Sequence, residues 1–308
     1  MTNRPLKTNP GKAISSLRRS STHAFRRIFL CGLVVGVACL AGGCATYGRR
    51  RALPALLQGQ PQAVLPSNQG YEVIPLRTKD GTKIFGQFGR AEFSSEASNR
   101  DPAHAPTVIF FYGAKQNLTA PHNQIVFRGL RAMGVNVFIP EYPGNGMSEG
   151  SPSEGGCYAA ADAALDYLLS RDDIDHARII AAGQSLGSGP AVDLASRRPL
   201  AGLITVSGFT NAPDVVMSVA GWMPRWVARS LTAEIRFDNL AKIKTVTCPI
   251  LLVYGTEDTV VPLWMTERLA TAATAPVTKL PVPGRHNGLW KSAYFGLNGS
   301  VRDWINAR

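Results

Sequence analysis

Ala177-Arg-Ile-Ile-Ala-Ala-Gly-Gln-Ser-Leu-Gly-Ser-Gly189 decides how the rest of the chain is read. Its first half, Arg178 to Ala182, is a short apolar run with two isoleucines, the length of one buried strand. Its second half opens an Ala- and Leu-rich helical pattern that runs to about Arg197. At the junction stands Gly183-Gln184-Ser185-Leu186-Gly187, a G-x-S-x-G between strand and helix. A serine on so tight a turn takes strained backbone angles, and glycine two residues before and after leaves room for it. The turn exposes the serine oxygen and points the first amides of the next helix at whatever that oxygen attacks. Alone the pentapeptide is weak, since small residues flank serine in many glycine-rich loops.

From Tyr71 onward, strand and helix patterns alternate on both sides of this junction. Residues 71–78 and 82–88 flank Lys79-Asp80-Gly81 and predict a hairpin. A buried-strand run at 107–112 precedes an amphipathic helix over 124–133, closed by Gly134, and another strand over 135–139. Residues 153–169 are helical, with Cys157, Ala161, Ala164, Leu165 and Leu168 on one face. Strands at 202–206, 250–254 and 276–280 follow, and a closing helix begins near Val301. This alternation predicts an α/β fold, a mostly parallel central sheet with helices on both faces. Asn211 to Lys244 breaks it, with Val215, Val216, Trp222, Met223, Trp226 and Val227 at helical spacing. That segment predicts a short helical lid, although the same stripe would serve as ordinary core.

The 308 residues carry 45 % hydrophobic and 18 % charged side chains, enough to bury a substantial core. The formal charge of +12 points first to nucleic acid. Yet ten of the 33 Lys and Arg, and none of the 21 acids, lie in residues 1–51, which leaves 23 against 21 and a net of +2 beyond them. A nucleic-acid footprint is therefore not expected of the folded part.

The N-terminus predicts its own fate. A basic stretch ends in Arg26-Arg27, Ile28 to Leu40 is apolar, and Ala41-Gly42-Gly43-Cys44 follows. A charged region, a short apolar run and small residues describe a secretory signal over 1–43. The cysteine after small residues resembles the bacterial lipobox, which implies a lipidated Cys44 as the anchor, with Leu40 one place off the usual position. An uncleaved anchor helix is the alternative, and either way the protein is expected to be exported and held to a membrane. Arg26-Arg27-Ile28-Phe29-Leu30 also resembles a twin-arginine signal, with Phe25 in place of serine. Residues 44–70, with Arg49-Arg50-Arg51 and three prolines, predict a tether whose reach is on the order of 30 Å. Ala45 after the cysteine, rather than aspartate, implies sorting to the outer membrane of the bacterial envelope.

A serine hydroxyl attacks only when a base takes its proton and a third group orients the base. Of five histidines, His23 lies in the leader, His104 before a strand, His122 in a loop, and His176 at the start of the Ser185 strand, on the far edge. His286 stands in Pro283-Gly284-Arg285-His286-Asn287-Gly288, after the last strand. The strand at 250–254 runs into Gly255-Thr256-Glu257-Asp258, which supplies a carboxylate. In a parallel sheet both loops leave from the edge that presents Ser185. Taken singly, Asp258 could cap the next helix and His286 could be an ordinary loop residue.

In order and placement, Ser185, Asp258 and His286 resemble the triad of the α/β-hydrolase superfamily. Residues from about 71 to 305 are similar to that superfamily, especially the short-lid, serine-aminopeptidase-like branch that includes membrane-associated acyl-protein thioesterases. Phe111-Tyr-Gly-Ala-Lys-Gln-Asn117 resembles its H-G-N-A-x-N stretch. Glu141-Tyr-Pro-Gly-Asn-Gly-Met-Ser-Glu-Gly150 with Pro152-Ser153-Glu154 resembles D-Y-x-G-x-G-x-S-x-G and P-S-E. Phe237 to Leu240 before Cys248-Pro249-Ile250-Leu251 matches the run into the acid strand. Tyr112 stands where histidine is usual and Glu141 where aspartate is usual, and neither change removes a backbone donor.

The resemblance implies an α/β-hydrolase fold over residues 71–308, with its lid at about 211–244. It also implies a serine esterase or thioesterase acting on a small-molecule acyl substrate. Ser185 would attack, His286 would move the proton, Asp258 would hold the ring, and backbone N–H groups of Ala114 and Leu186 would form the oxyanion hole. No metal or organic cofactor is implied, since nothing in the mature chain has ligand spacing. An aminopeptidase of the same fold, or a non-catalytic envelope scaffold, are the rival readings. Cys157 and Cys248 are expected to stay unpaired, because they belong to opposite edges of the sheet.

Overall fold

A computed structural model describes residues 65, 70–93, 101–286, 289 and 299–308. The signal at 1–43, Cys44 and most of the expected tether lie outside the described residues. Eight strands form one sheet. They are β1 (Glu72–Arg77), β2 (Lys83–Gly89), β3 (Thr107–Phe111), β4 (Asn136–Pro140), β5 (Ile179–Gln184), β6 (Gly202–Val206), β7 (Ile250–Gly255) and β8 (Val277–Val282). Their order is β1-β2-β4-β3-β5-β6-β7-β8. The β1–β2 hairpin and the β2–β4 pair are antiparallel, and every other pairing is parallel. Every residue of β3 to β6 is buried, which is why these sequences are continuous apolar runs rather than alternations.

The helices obey local chemistry. The helix α1 (Pro121–Ala132) starts three residues before its apolar pattern, because Pro121 supplies a preset first turn. Next, α2 (Glu154–Leu169) is capped by Ser153, whose hydroxyl accepts from the Gly156 N–H at 3.0 Å, and Cys157, Ala160, Ala161, Ala164, Leu165 and Leu168 are buried. Then α3 (Ser188–Arg197) leaves the Ser185 turn and is buried from Ser188 to Ala195. Two further helices, α7 (Leu263–Ala272) and α8 (Ser300–Asn306), complete the frame. Cys157 and Cys248 are both buried and unpaired, as strand layout requires.

The segment expected as a short helical lid holds three helices: α4 (Ala212–Val219), α5 (Arg225–Leu231) and the short α6 (Asn239–Lys242). Pro224 caps α5 and disfavours helix in the residue before it, so the pattern cannot run through Trp222 and Met223. The stripe is not plain core either: Met223 is buried, but Trp222 and Trp226 are 54 % and 74 % exposed.

Strand order sets where a site can lie. From β3 the chain steps to β4 on one side, then returns to place β5 on the other side of β3. At such a reversal the crossing connections diverge and open a crevice outside the carboxyl ends of the strands. Gly113 follows β3 there, and Ser185 follows β5.

Candidate active site

Ser185 holds φ at +49°, a left-handed conformation that few side chains adopt. The turn survives because its glycines permit close backbone approach. A Cβ on Gly183 would collide with the Gly187 carbonyl, and one on Gly187 with the carbonyl of Phe111 at the end of β3. A Cβ on Gly113 would stand 3.7 Å from that of Ser185, so the loop after β3 lies against the serine turn.

The loops after β7 and β8 are braced to each other. Thr256 and Glu257 donate their N–H groups to the carbonyls of Val282 and Gly284, each at 3.0 Å. This brings Asp258 Oδ2 to 2.8 Å from His286 Nδ1, while His286 Nε2 lies 3.0 Å from Ser185 Oγ. A carboxylate only accepts, so the ring proton sits on Nδ1, and Nε2 is left to accept from the serine hydroxyl. The arrangement can take a proton from Ser185.

Asp258 is enclosed by donors. Its Oδ1 accepts the N–H groups of Val260 and Val261 at 2.9 and 2.8 Å, and Oδ2 also accepts the Ser207 hydroxyl at 2.8 Å. Burial by itself raises this carboxyl, but hydrogen bonds from His286, Val261 and Ser207 outweigh it and hold the group below its ordinary range. Glu257 points elsewhere: its side chain is 64 % exposed and faces Arg285 at 3.9 Å.

Leu186, next to the serine, is buried, and Ala114 is exposed at the rim. Among the described residues no backbone carbonyl takes up the Ala114 N–H. Of the other histidines, His122 approaches the turn, yet its Nε2 meets Gln184 Oε1 at 2.6 Å rather than the serine. His104 and His176 sit in short turns before β3 and β5, at the opposite edge. Ser207 was not singled out by its sequence. It directly follows β6 with φ of +50°, and the small Val206-Ser207-Gly208 run at a strand end was the available signal.

The fold and the serine turn together define an α/β hydrolase, and the chain belongs to that family. The family described as "alpha/beta hydrolase fold" matches residues 106–235. An uncharacterized protein of Mycobacterium tuberculosis is 37 % identical over 222 residues, covering 72 % of this chain and 73 % of the relative. The α/β-hydrolase domain-containing protein WAV2 of Arabidopsis thaliana is 29 % identical, covering 84 % of this chain and 86 % of its own length. Among solved structures, an esterase of Pyrococcus furiosus superposes with a TM-score of 0.62 at 17 % identity, covering 81 % of this chain and 98 % of the esterase. The acetyl xylan esterase of Paenibacillus sp. R4 gives 0.60 at 17 % identity, covering 80 % and 86 %.

Proposed function

We propose that this hydrolase cleaves carboxylic esters or thioesters through an acyl-enzyme on Ser185. The observation that carries the reading is the continuous relay Ser185 Oγ, His286 Nε2, His286 Nδ1, Asp258 Oδ2, at 3.0 and 2.8 Å. His286 takes the serine proton as Oγ attacks the acyl carbonyl, then gives it to the departing alcohol or thiol. Water repeats the sequence on the acyl-enzyme. Asp258 stabilises the imidazolium and fixes its tautomer. The N–H groups of Leu186 and Ala114 receive the oxyanion, and losing one such donor costs about 3 kcal/mol of transition-state stabilisation. Ester chemistry is supported by the similarity to proteins described as esterases.

A peptidase selecting a free amine needs an unspent carboxylate in the lid. Asp214 is buried and already accepts from Thr210 and Asn211, with Arg225 and Arg268 at 3.1 and 3.4 Å. Asp238 caps α6. Only Glu234 remains, which disfavours the aminopeptidase.

The N-terminal sequence supports export and anchoring to the bacterial envelope, a reading tested through Cys44, since Cys44→Ser should block lipid incorporation. For the chemistry, an ester and thioester panel of graded acyl length is run with the purified protein. Turnover should be present and should vanish in Ser185→Ala; turnover that persists in that variant rejects the reading.

A further inference from the structure

Directly behind the serine turn lies a buried polar cluster that the triad does not use. Strands β3 and β4 are parallel with Ile109 opposite Phe138, and the same register continued three residues sets Tyr112 beside Glu141. Both side chains leave the same edge of the sheet, and both are fully buried. The Tyr112 hydroxyl donates to Glu141 Oε1 at 3.2 Å and accepts from the Tyr142 N–H at 3.1 Å. The same Oε1 accepts the Leu118 N–H at 2.8 Å. On the other oxygen, Oε2 accepts the Met147 N–H at 3.4 Å, and a Cβ on Gly146 would collide with it.

One carboxylate oxygen therefore holds both ends of the 112–118 loop. Between those ends lie residues 113–117, Ala114 among them, and Lys115 adopts φ of +62°, which a lysine holds only when its surroundings impose it. Glu141 has no cation partner among the described residues, so a bare buried carboxylate persists on hydrogen bonds from this loop and its neighbour. Its length also matters. An aspartate at this position would withdraw the carboxylate by one methylene from both Tyr112 and Leu118.

We propose that Glu141 is a positioning residue: through Tyr112 and Leu118 it fixes the loop that presents the Ala114 N–H to the reacting carbonyl oxygen. This inference rests on the hydrolase reading of Ser185. It makes the carboxylate part of oxyanion stabilisation without contact to substrate, an effect present in the transition state and absent from ground-state binding.

The test compares Glu141→Asp and Tyr112→Phe with the unaltered full chain. Readouts are kcat and KM on a p-nitrophenyl ester, inhibition by an alkyl trifluoromethyl ketone whose adduct carries the oxyanion, and the melting temperature. Displacing a donor by about 1 Å costs on the order of a hundredfold, so Glu141→Asp should lower kcat by that order with KM within about twofold. Ketone affinity should fall in step with kcat/KM. Tyr112→Phe, which keeps the Leu118 contact, should lose less, about tenfold. A variant with full turnover, or one whose KM rises while ketone affinity holds, overturns the inference. Should Glu141→Asp fail to fold, Tyr112→Phe decides on the same criteria. No turnover and no labelling of Ser185 in the unaltered protein would instead sink the hydrolase reading, and this inference with it.

Discussion

Two buried carboxylates stand at the same edge of the sheet and behave in opposite ways. Asp258 follows β7 and receives two backbone N–H groups, a hydroxyl and an imidazole. Glu141 follows β4 and receives two backbone N–H groups and a phenol. Burial opposes ionisation of both. For Asp258 the donors prevail and the carboxyl is held below its usual range, whereas for Glu141 burial prevails and the carboxyl is pushed up. The difference lies in the partner that can itself carry charge: His286 becomes a cation when it takes a proton, and nothing beside Glu141 does so among the described residues. One carboxylate is suited to a charge that moves during reaction, the other to a loop that must not move.

The contrast breaks most visibly at Asp258. Under the proposed mechanism Asp258→Asn leaves the fold intact but presents the wrong ring tautomer, and turnover should fall about 10⁴-fold. Glu257→Gln, on an exposed side chain, should stay within about twofold. A larger loss from Glu257→Gln would move the acid to the neighbouring position.

Stability against pH should separate the two groups by sign. The lowered Asp258 contributes stability that is present above its unfolded value of about 3.9 and lost as pH falls through its folded value. The raised Glu141 contributes stability that is present below its unfolded value of about 4.3 and lost as pH rises through its folded value. The melting temperature of Asp258→Asn relative to the unaltered protein should therefore drop as pH rises, and that of Glu141→Gln should climb. Slopes of equal sign would show that the two sites do not differ as described.

Among the groups that hold Asp258, a smaller effect is expected at Ser207. Removing one donor from an ionised carboxylate costs about 1.5–3 kcal/mol, so Ser207→Ala should lower turnover about ten- to a hundredfold while leaving KM unchanged. A kinetic comparison at saturating ester checks it. Wild-type turnover in Ser207→Ala would mean that the two backbone N–H groups and His286 alone hold Asp258.

Much of the fold was legible because local patterns carry it. Continuous apolar runs marked β3 to β6, Ser153 marked the start of α2, and the glycines around Ser185 marked the turn. The relay was approached through strand-end position and chain order, which place Ser185, Asp258 and His286 on one edge before any contact is known. The rest lies in contacts between residues distant in sequence. The swap of β3 and β4 and the register that sets Tyr112 beside Glu141 leave no periodic trace in either strand. Ser207 meets Asp258 across 51 residues, and a lone serine after a strand resembles any turn residue. Within 211–244 the helical spacing does not show where the chain breaks: Pro224 separates α4 from α5, and α6 follows as a short third helix.

Covalent labelling with a fluorophosphonate tests the acyl-enzyme proposal most directly, with the adduct located by peptide mass measurement. The proposal predicts a single adduct on Ser185, lost in Ser185→Ala and strongly slowed in His286→Ala. Labelling that persists in Ser185→Ala, or an adduct mapped to another residue, would contradict it.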